Sequence, residues 1–253
     1  MGRVVSRLFD ALLANAAPFL ALTALLTLPQ LLLSLYISTN VTRTMGMNPA
    51  GGIAAGGTVR FFEMSALSGL VYLVFTFLLQ AALTHGTITW LNGEKPSFGQ
   101  SLSVAMKNFL PLVAIAILSA LGMGLASLLL LVPGIIVAMM WSVAVPAKVV
   151  EGTGITESLG RSRALTKGYR WRIFLLYLAY FVIALAVSFA IRPLLGVSMT
   201  PKPGELSVAY ILVDWIVRIG LTSITAVGAT SIYYELRLVK EGIGAQQMAE
   251  AFG

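Results

Sequence analysis

An all-α fold, a polytopic membrane helix bundle, is what this sequence predicts, and three observations predict it. The chain of 253 residues is 58% hydrophobic and only 11% charged, with mean hydropathy +0.89. A water-soluble domain of this size needs more polar residues than that to cover its outside. The apolar residues also come in runs long enough to cross a hydrocarbon layer of about 30 Å, separated by short polar blocks. Third, the basic residues behind the net charge of +7 sit in those blocks and in no nucleic-acid-binding motif, as membrane topology requires. With no cysteine, disulfides, Fe–S clusters and thiolate zinc sites are excluded.

The expectation is a single integral membrane domain over residues 1–253, with six transmembrane helices and amphipathic surface helices. Met1 to Asn15 places Val4, Val5, Leu8, Ala11 and Leu12 at helical spacing beside Arg3 and Arg7, which describes a surface helix. Ala16 to Ile37 is the first span, too long for a signal peptide's apolar core of about 7–15 residues. Ser38 to Ser65 reads as a Gly-rich loop, and residues 66–91 as the second span, with Trp90 at interfacial depth. Gly93 to Asn108 forms a second polar helix, residues 109–132 the third span, and Pro133-Gly134 a tight turn. Residues 135–150 are the fourth span, kinked at Pro146. The fifth covers 173–195 and the sixth 207–234, before a polar, partly helical tail.

Between the fourth and fifth spans lies a cationic connector with Lys148, Arg161, Arg163, Lys167, Arg170 and Arg172 in and around it. A charge at the bilayer centre costs roughly 2.5–3.5 kcal/mol on the insertion scale, so this segment lies at a membrane surface. It reads as a short helix capped by Thr153 or Thr156, with Glu157 in its first turn, Leu159, Ala164 and Leu165 on one apolar face, and Gly168 at its end. Anionic lipid headgroups are the expected partners of Arg161, Arg163, Lys167, Arg170 and Arg172, at about 1 kcal/mol per basic residue near the surface.

SFGQS at Ser97 to Ser101 and SLGRS at Ser158 to Ser162 each open a surface helix followed by two spans. With the amino-terminal helix this suggests a threefold repeat of surface helix and hairpin. The termini and the two polar connectors hold Arg3, Arg7, Lys95, Lys107, Lys148, Arg161, Arg163, Lys167, Arg170, Arg172, Arg237 and Lys240, whereas the opposite loops hold Arg43, Arg60, Arg192 and Lys202. Both termini are therefore expected in the cytoplasm.

Two polar stripes interrupt the apolar spans. In the sixth, Asp214, Arg218, Thr222 and Thr225 share one helical face; in the second, Thr76, Gln80, Thr84 and Thr87 do the same. Each admits a packing reading and a functional one. Asp214 and Arg218 neutralise each other at i,i+4, with Arg192 as a further partner, or they mark a solute site. The hydroxyl stripe bonds between helices or lines a path. His85, the only histidine, cannot build a metal site alone, and Ser119, Gly122 and Ala126 suit close helix approach. No phosphate-binding glycine loop, HExxH, GxSxG or paired carboxylate argues for catalysis, and no cofactor is expected.

Pro133-Gly134, Pro146, Glu151, Ser162, Leu165, Gly168 and Trp171, with Tyr234, Leu236, Arg237 and Gly242, resemble the membrane domain of glycerophosphoryl diester phosphodiesterases and the stand-alone YciC-like bacterial inner-membrane proteins. In fused members of that family a separate soluble barrel hydrolyses the substrate with His and acidic metal ligands. This chain has one His, inside a span, and no length for such a barrel. The resemblance implies a multi-pass protein of the bacterial inner membrane. The first functional expectation is a non-catalytic scaffold, regulator or lipid-associated module, with lipids or another membrane protein as partner. The alternative is a transporter or channel for a small solute or lipid that uses the polar faces of spans two and six. A transporter places water or solute between those faces; a scaffold closes them against each other.

Overall fold

The structure, a computed structural model, describes residues 2–39, 57–194 and 208–242. These form α1 (Gly2–Ala14), α2 (Ala16–Thr39), α3 (Gly57–Leu91), α4 (Phe98–Lys107), α5 (Phe109–Leu129), α6 (Leu131–Trp141), α7 (Ala144–Glu151), α8 (Ile155–Thr166), α9 (Arg170–Leu194) and α10 (Val208–Glu241). Among the described residues six stretches are long and apolar enough to cross a membrane: Ala16–Ser38, Phe62–Leu91, Phe109–Leu129, Leu131–Glu151, Arg170–Ile191 and Val208–Glu241. The order of one short helix and then two spans occurs three times, with α1, α4 and α8 as the short helices.

Proline spacing sets several of the breaks. Pro18, Pro111, Pro133 and Pro146 each stand at the third residue of a helix, where the missing N–H costs nothing. Each therefore leaves without its usual partner the carbonyl four residues earlier, at Ala14, Lys107, Leu129 and Ser142, and the chain turns there. The expected turn at Pro133-Gly134 thus falls instead at Leu130, whose backbone is extended (φ −163°, ψ 151°), while Pro133 and Gly134 lie inside α6. Likewise the fourth span is not one kinked helix but two, α6 and α7, parted at Ser142 and Val143. Two of the breaks share a device, since Asn15 and Asn108 each donate a side-chain N–H to the carbonyl four residues back, at 3.0 and 2.9 Å.

Other boundaries differ by length. Helix α3 already begins at Gly57, within the expected Gly-rich loop, and α10 runs past Tyr234 to Glu241. The connector helix is capped by Gly154, not by a threonine; the Glu157 carboxylate accepts the Gly154 N–H at 2.8 Å. Its buried face is Ser158, Leu159, Ser162, Leu165 and Thr166, and Ala164 is exposed. That hydroxyl face answers the α6–α7 break: Ser162 Oγ donates to the Met140 carbonyl (2.8 Å) and accepts the Val143 N–H (3.3 Å), and Thr166 Oγ1 reaches the same carbonyl at 3.3 Å.

Helices α2, α3 and α10 pack around a core of Phe19, Leu22, Leu78, Leu79, Leu83 and Val227. In lipid the apolar surroundings give helices no hydrophobic reason to associate, so close approach carries the packing. Gly122 and Gly134 show this in the α5–α6 hairpin. A Cβ on Gly122 would stand 2.2 Å from the Trp141 ring, and one on Gly134 2.0 Å from Ser127 Oγ. Helix α9 is the outlier, with only 6% of its apolar window buried.

Candidate functional site

One end of the bundle is charged. The Glu151 carboxylate at the end of α7 accepts from Arg161 Nε (2.7 and 3.0 Å) and from the Tyr233 hydroxyl (2.7 Å), with Arg237 at 3.6 Å. Glu241 holds the other sides of Arg161 and Arg237 at 2.6 and 3.0 Å. Burial disfavours the Arg161 charge, but the hydrogen bonds and charges of Glu151 and Glu241 outweigh it and hold the guanidinium above its usual range. Lys240 Nζ donates to the Ala164 and Lys167 carbonyls (2.7 and 2.9 Å), covering the end of α8 where the helix dipole favours a cation. Glu235 pairs with both Arg3 and Arg7, so α1, α8 and the end of α10 share one face of the bundle.

From this end a polar column runs along the seam of α3 and α10. Thr84 and Thr230 close it first, their hydroxyls 2.9 Å apart, and beside them His85 Nδ1 meets Ser101 Oγ at 3.2 Å. Beyond this closure a cavity of about 310 Å³ opens, lined by Tyr72, Thr76, Gln80, Ser119, Tyr180, Thr222 and Thr225 among others. The Ser119 hydroxyl on its wall is buried and without a protein partner. A second cavity, of about 270 Å³, follows between α2, α3 and α10 and shares Tyr72 and Thr222 with the first. Gln30, Ser34, Tyr210, Asp214, Trp215 and Arg218 line it, with the Trp215 indole N–H held on Thr27 Oγ1 at 2.9 Å.

The two stripes read from the sequence therefore meet. Thr76, Gln80, Thr222 and Thr225 face one cavity; Asp214, Arg218 and Thr222 face the next. Thr84 is spent on Thr230, and the Thr87 hydroxyl is buried without a partner. Arg218 Nε donates to Asp214 Oδ2 at 2.5 Å, while the side chain of Arg192 lies outside the described residues. Arg218 precedes Glu235 by 17 residues, about 26 Å at roughly 1.5 Å rise per residue. With a hydrocarbon layer about 30 Å thick, the pair stands near the interface opposite the charged end and not at the bilayer centre; Thr225, 10 residues from Glu235, is at mid-depth.

Of the basic residues expected on headgroups, Arg161 is instead held within the bundle by Glu151 and Glu241. Arg163 and Lys167 are exposed, Arg172 lies 5.6 Å from the Tyr169 ring centroid, and Arg170 buries its Nε. Sequence reasoning missed the Tyr233–Glu151 contact and the lining of the second cavity from α2. Tyr233, Arg237 and Glu241 at i, i+4 and i+8 were the available signal for the first. Among the described residues, no group of three or more His, Asp or Glu side chains is placed to hold a metal ion.

Fold and site together define a multi-pass, all-α membrane protein with a polar seam between its second and sixth spans. Compared with known protein families, with curated proteins and with solved structures, the chain matches none.

Proposed function

We propose that this protein is a non-catalytic carrier that admits a small solute into the α3–α10 seam from the end opposite the charged network. The carrying observation is the pair of neighbouring cavities, of about 310 and 270 Å³, that lie on the two polar stripes and share Tyr72 and Thr222 as walls. The size and mixed lining suit a small ligand, mostly apolar walls with a few polar groups. On the basic-residue count the charged end faces the cytoplasm of a bacterial inner membrane, with exposed Arg163 and Lys167 near anionic headgroups. The resemblance to the phosphodiesterase membrane domain belongs to the same proposal, as a membrane module without the hydrolase. A scaffold or regulatory module is the second reading, favoured by the bonded lower seam at Thr84 and Thr230.

The native absence of cysteine makes the test direct. Single Thr222→Cys, Thr225→Cys and Thr230→Cys variants are exposed to a small water-soluble thiol reagent in membranes. Reaction at 222 and 225 with protection at 230 is expected; protection at all three overturns the carrier in favour of the scaffold.

A further inference from the structure

We infer that the cleft between α6 and the start of α9 is a site for one anionic phospholipid, with Arg170 holding the phosphate and an acyl chain lying along α6. The cleft is outside the α3–α10 seam and does not depend on the carrier; it needs only that the charged end of the bundle stands at a membrane surface. Its volume is about 430 Å³. Val132, Ile135, Ile136 and Met139 line it at the spacing of one helical face, so α6 supplies a continuous apolar wall. From Val132 to Met139 that wall runs about 10 Å along the helix axis. Trp171 and Phe174 stand opposite, their rings edge to face at 5.7 Å. Trp171 is 77% exposed, as suits an indole at the membrane–water interface.

Charge at the mouth selects the headgroup. Gly168 and Arg170 line the cleft where α8 ends, and Lys240 fixes that end on the charged side of the bundle through its bonds to the Ala164 and Lys167 carbonyls. Arg170 is docked in the wall, with its Nε enclosed and unbonded, and its terminal nitrogens have no acceptor among the described residues. Lys167 and Arg172 flank it, both exposed, and none of the three forms an ion pair among the described residues. The nearby acids are already engaged: Glu151 and Glu241 hold Arg161 and Arg237, and Glu235 holds Arg3 and Arg7. Lys240 Nζ, 5.8 Å from the Tyr169 ring centroid, adds a further positive charge behind the mouth. A zwitterionic headgroup leaves this surplus unanswered, whereas a phosphodiester without a cation of its own answers it. The terminal nitrogens of Arg170 offer such a group two parallel hydrogen bonds. A basic mouth above an apolar wall between membrane helices seats a lipid and not a free phosphate, which has nothing to lay on α6. Unlike the general attraction of Arg163 and Lys167 to a membrane surface, this site takes one molecule in one orientation.

The test uses the full chain in an uncharged maltoside detergent and phosphatidylglycerol brominated on one acyl chain, whose bromines quench a tryptophan they touch. Trp171 emission is read as the difference from a Trp171→Phe chain. Saturable quenching is expected, with brominated phosphatidylcholine binding at least about tenfold more weakly. Arg170→Gln should weaken phosphatidylglycerol at least about tenfold, with Arg170→Lys between the two. Arg163→Gln removes the same charge from an exposed position on α8 and should change binding by less than about twofold. Ile136→Phe narrows the cleft without touching its charge and should also weaken the lipid, which keeps the site testable if Arg170→Gln fails to fold. Equal losses from Arg170→Gln and Arg163→Gln would reduce the cleft to diffuse attraction and overturn the site. Equal binding of phosphatidylcholine, or unchanged binding in Ile136→Phe, overturns it as well. Inorganic phosphate displacing the lipid at the lipid's own concentration would make the ligand a soluble anion and likewise overturn it. Thiol reactivity at positions 222 and 225 decides the carrier separately, whichever way the lipid result falls.

Discussion

Glu151→Gln tests whether the charged end holds the bundle together. The carboxylate is 15% exposed and its partners Arg161 and Arg237 are 27% and 13% exposed, so the cluster lies between the buried and surface limits. A fully buried pair costs about 3–5 kcal/mol to break and an exposed one about 0–1, which brackets this loss at roughly 2–3 kcal/mol. The amide can still accept from Tyr233, so the loss is mainly the missing charge opposite two arginines that Glu241 then serves alone. Thermal unfolding in maltoside detergent, followed by circular dichroism, should show Tm lowered by roughly 5–10 °C. Adding Arg161→Gln removes one of the surplus charges and should recover part of the loss, with a coupling of about 1 kcal/mol or more. Effects that add within about 0.5 kcal/mol would refute the reasoning and leave the cluster as a set of independent surface contacts.

Three further outcomes are expected. Ser162→Ala withdraws a donor from the Met140 carbonyl and an acceptor from the Val143 N–H, so it should destabilise by about 1–3 kcal/mol and speed hydrogen exchange at Val143; Thr166→Val should do less, because its Met140 contact is longer. Gly134→Ala places a methyl 2.0 Å from Ser127 Oγ and 3.2 Å from its Cα, and overpacking of this kind costs about 1–3 kcal/mol; an unchanged Tm would contradict the tight α5–α6 contact. For orientation, Val59→Cys should react with an impermeant thiol reagent added outside intact cells and Glu94→Cys should not, the reverse pattern inverting the assigned topology.

Features that depend only on neighbours along one helix can be read without coordinates. The spans were legible because an apolar run's length is a local property set against a fixed bilayer thickness. The Asp214–Arg218 pair and the two threonine stripes were legible for the same reason, since i,i+4 spacing alone puts residues on one face. Even the shifted breaks obey a local rule: a proline's missing N–H acts on the carbonyl four residues back, so the chain turns near Leu130 and Ser142 and not at Pro133 and Pro146. Tertiary structure decided which faces meet. Arg161 looked like a headgroup contact until Glu241, 80 residues away, took it into the bundle. Thr84 and Thr230, 146 residues apart, close the seam that Thr76, Gln80, Thr222 and Thr225 leave open. Helical periodicity gives the direction of a side chain around its own axis but carries nothing about the separation of two axes. Whether two polar stripes bond or enclose a cavity is set by that separation: the same two helices bond at Thr84 and Thr230 and line a cavity at Thr76, Gln80, Thr222 and Thr225.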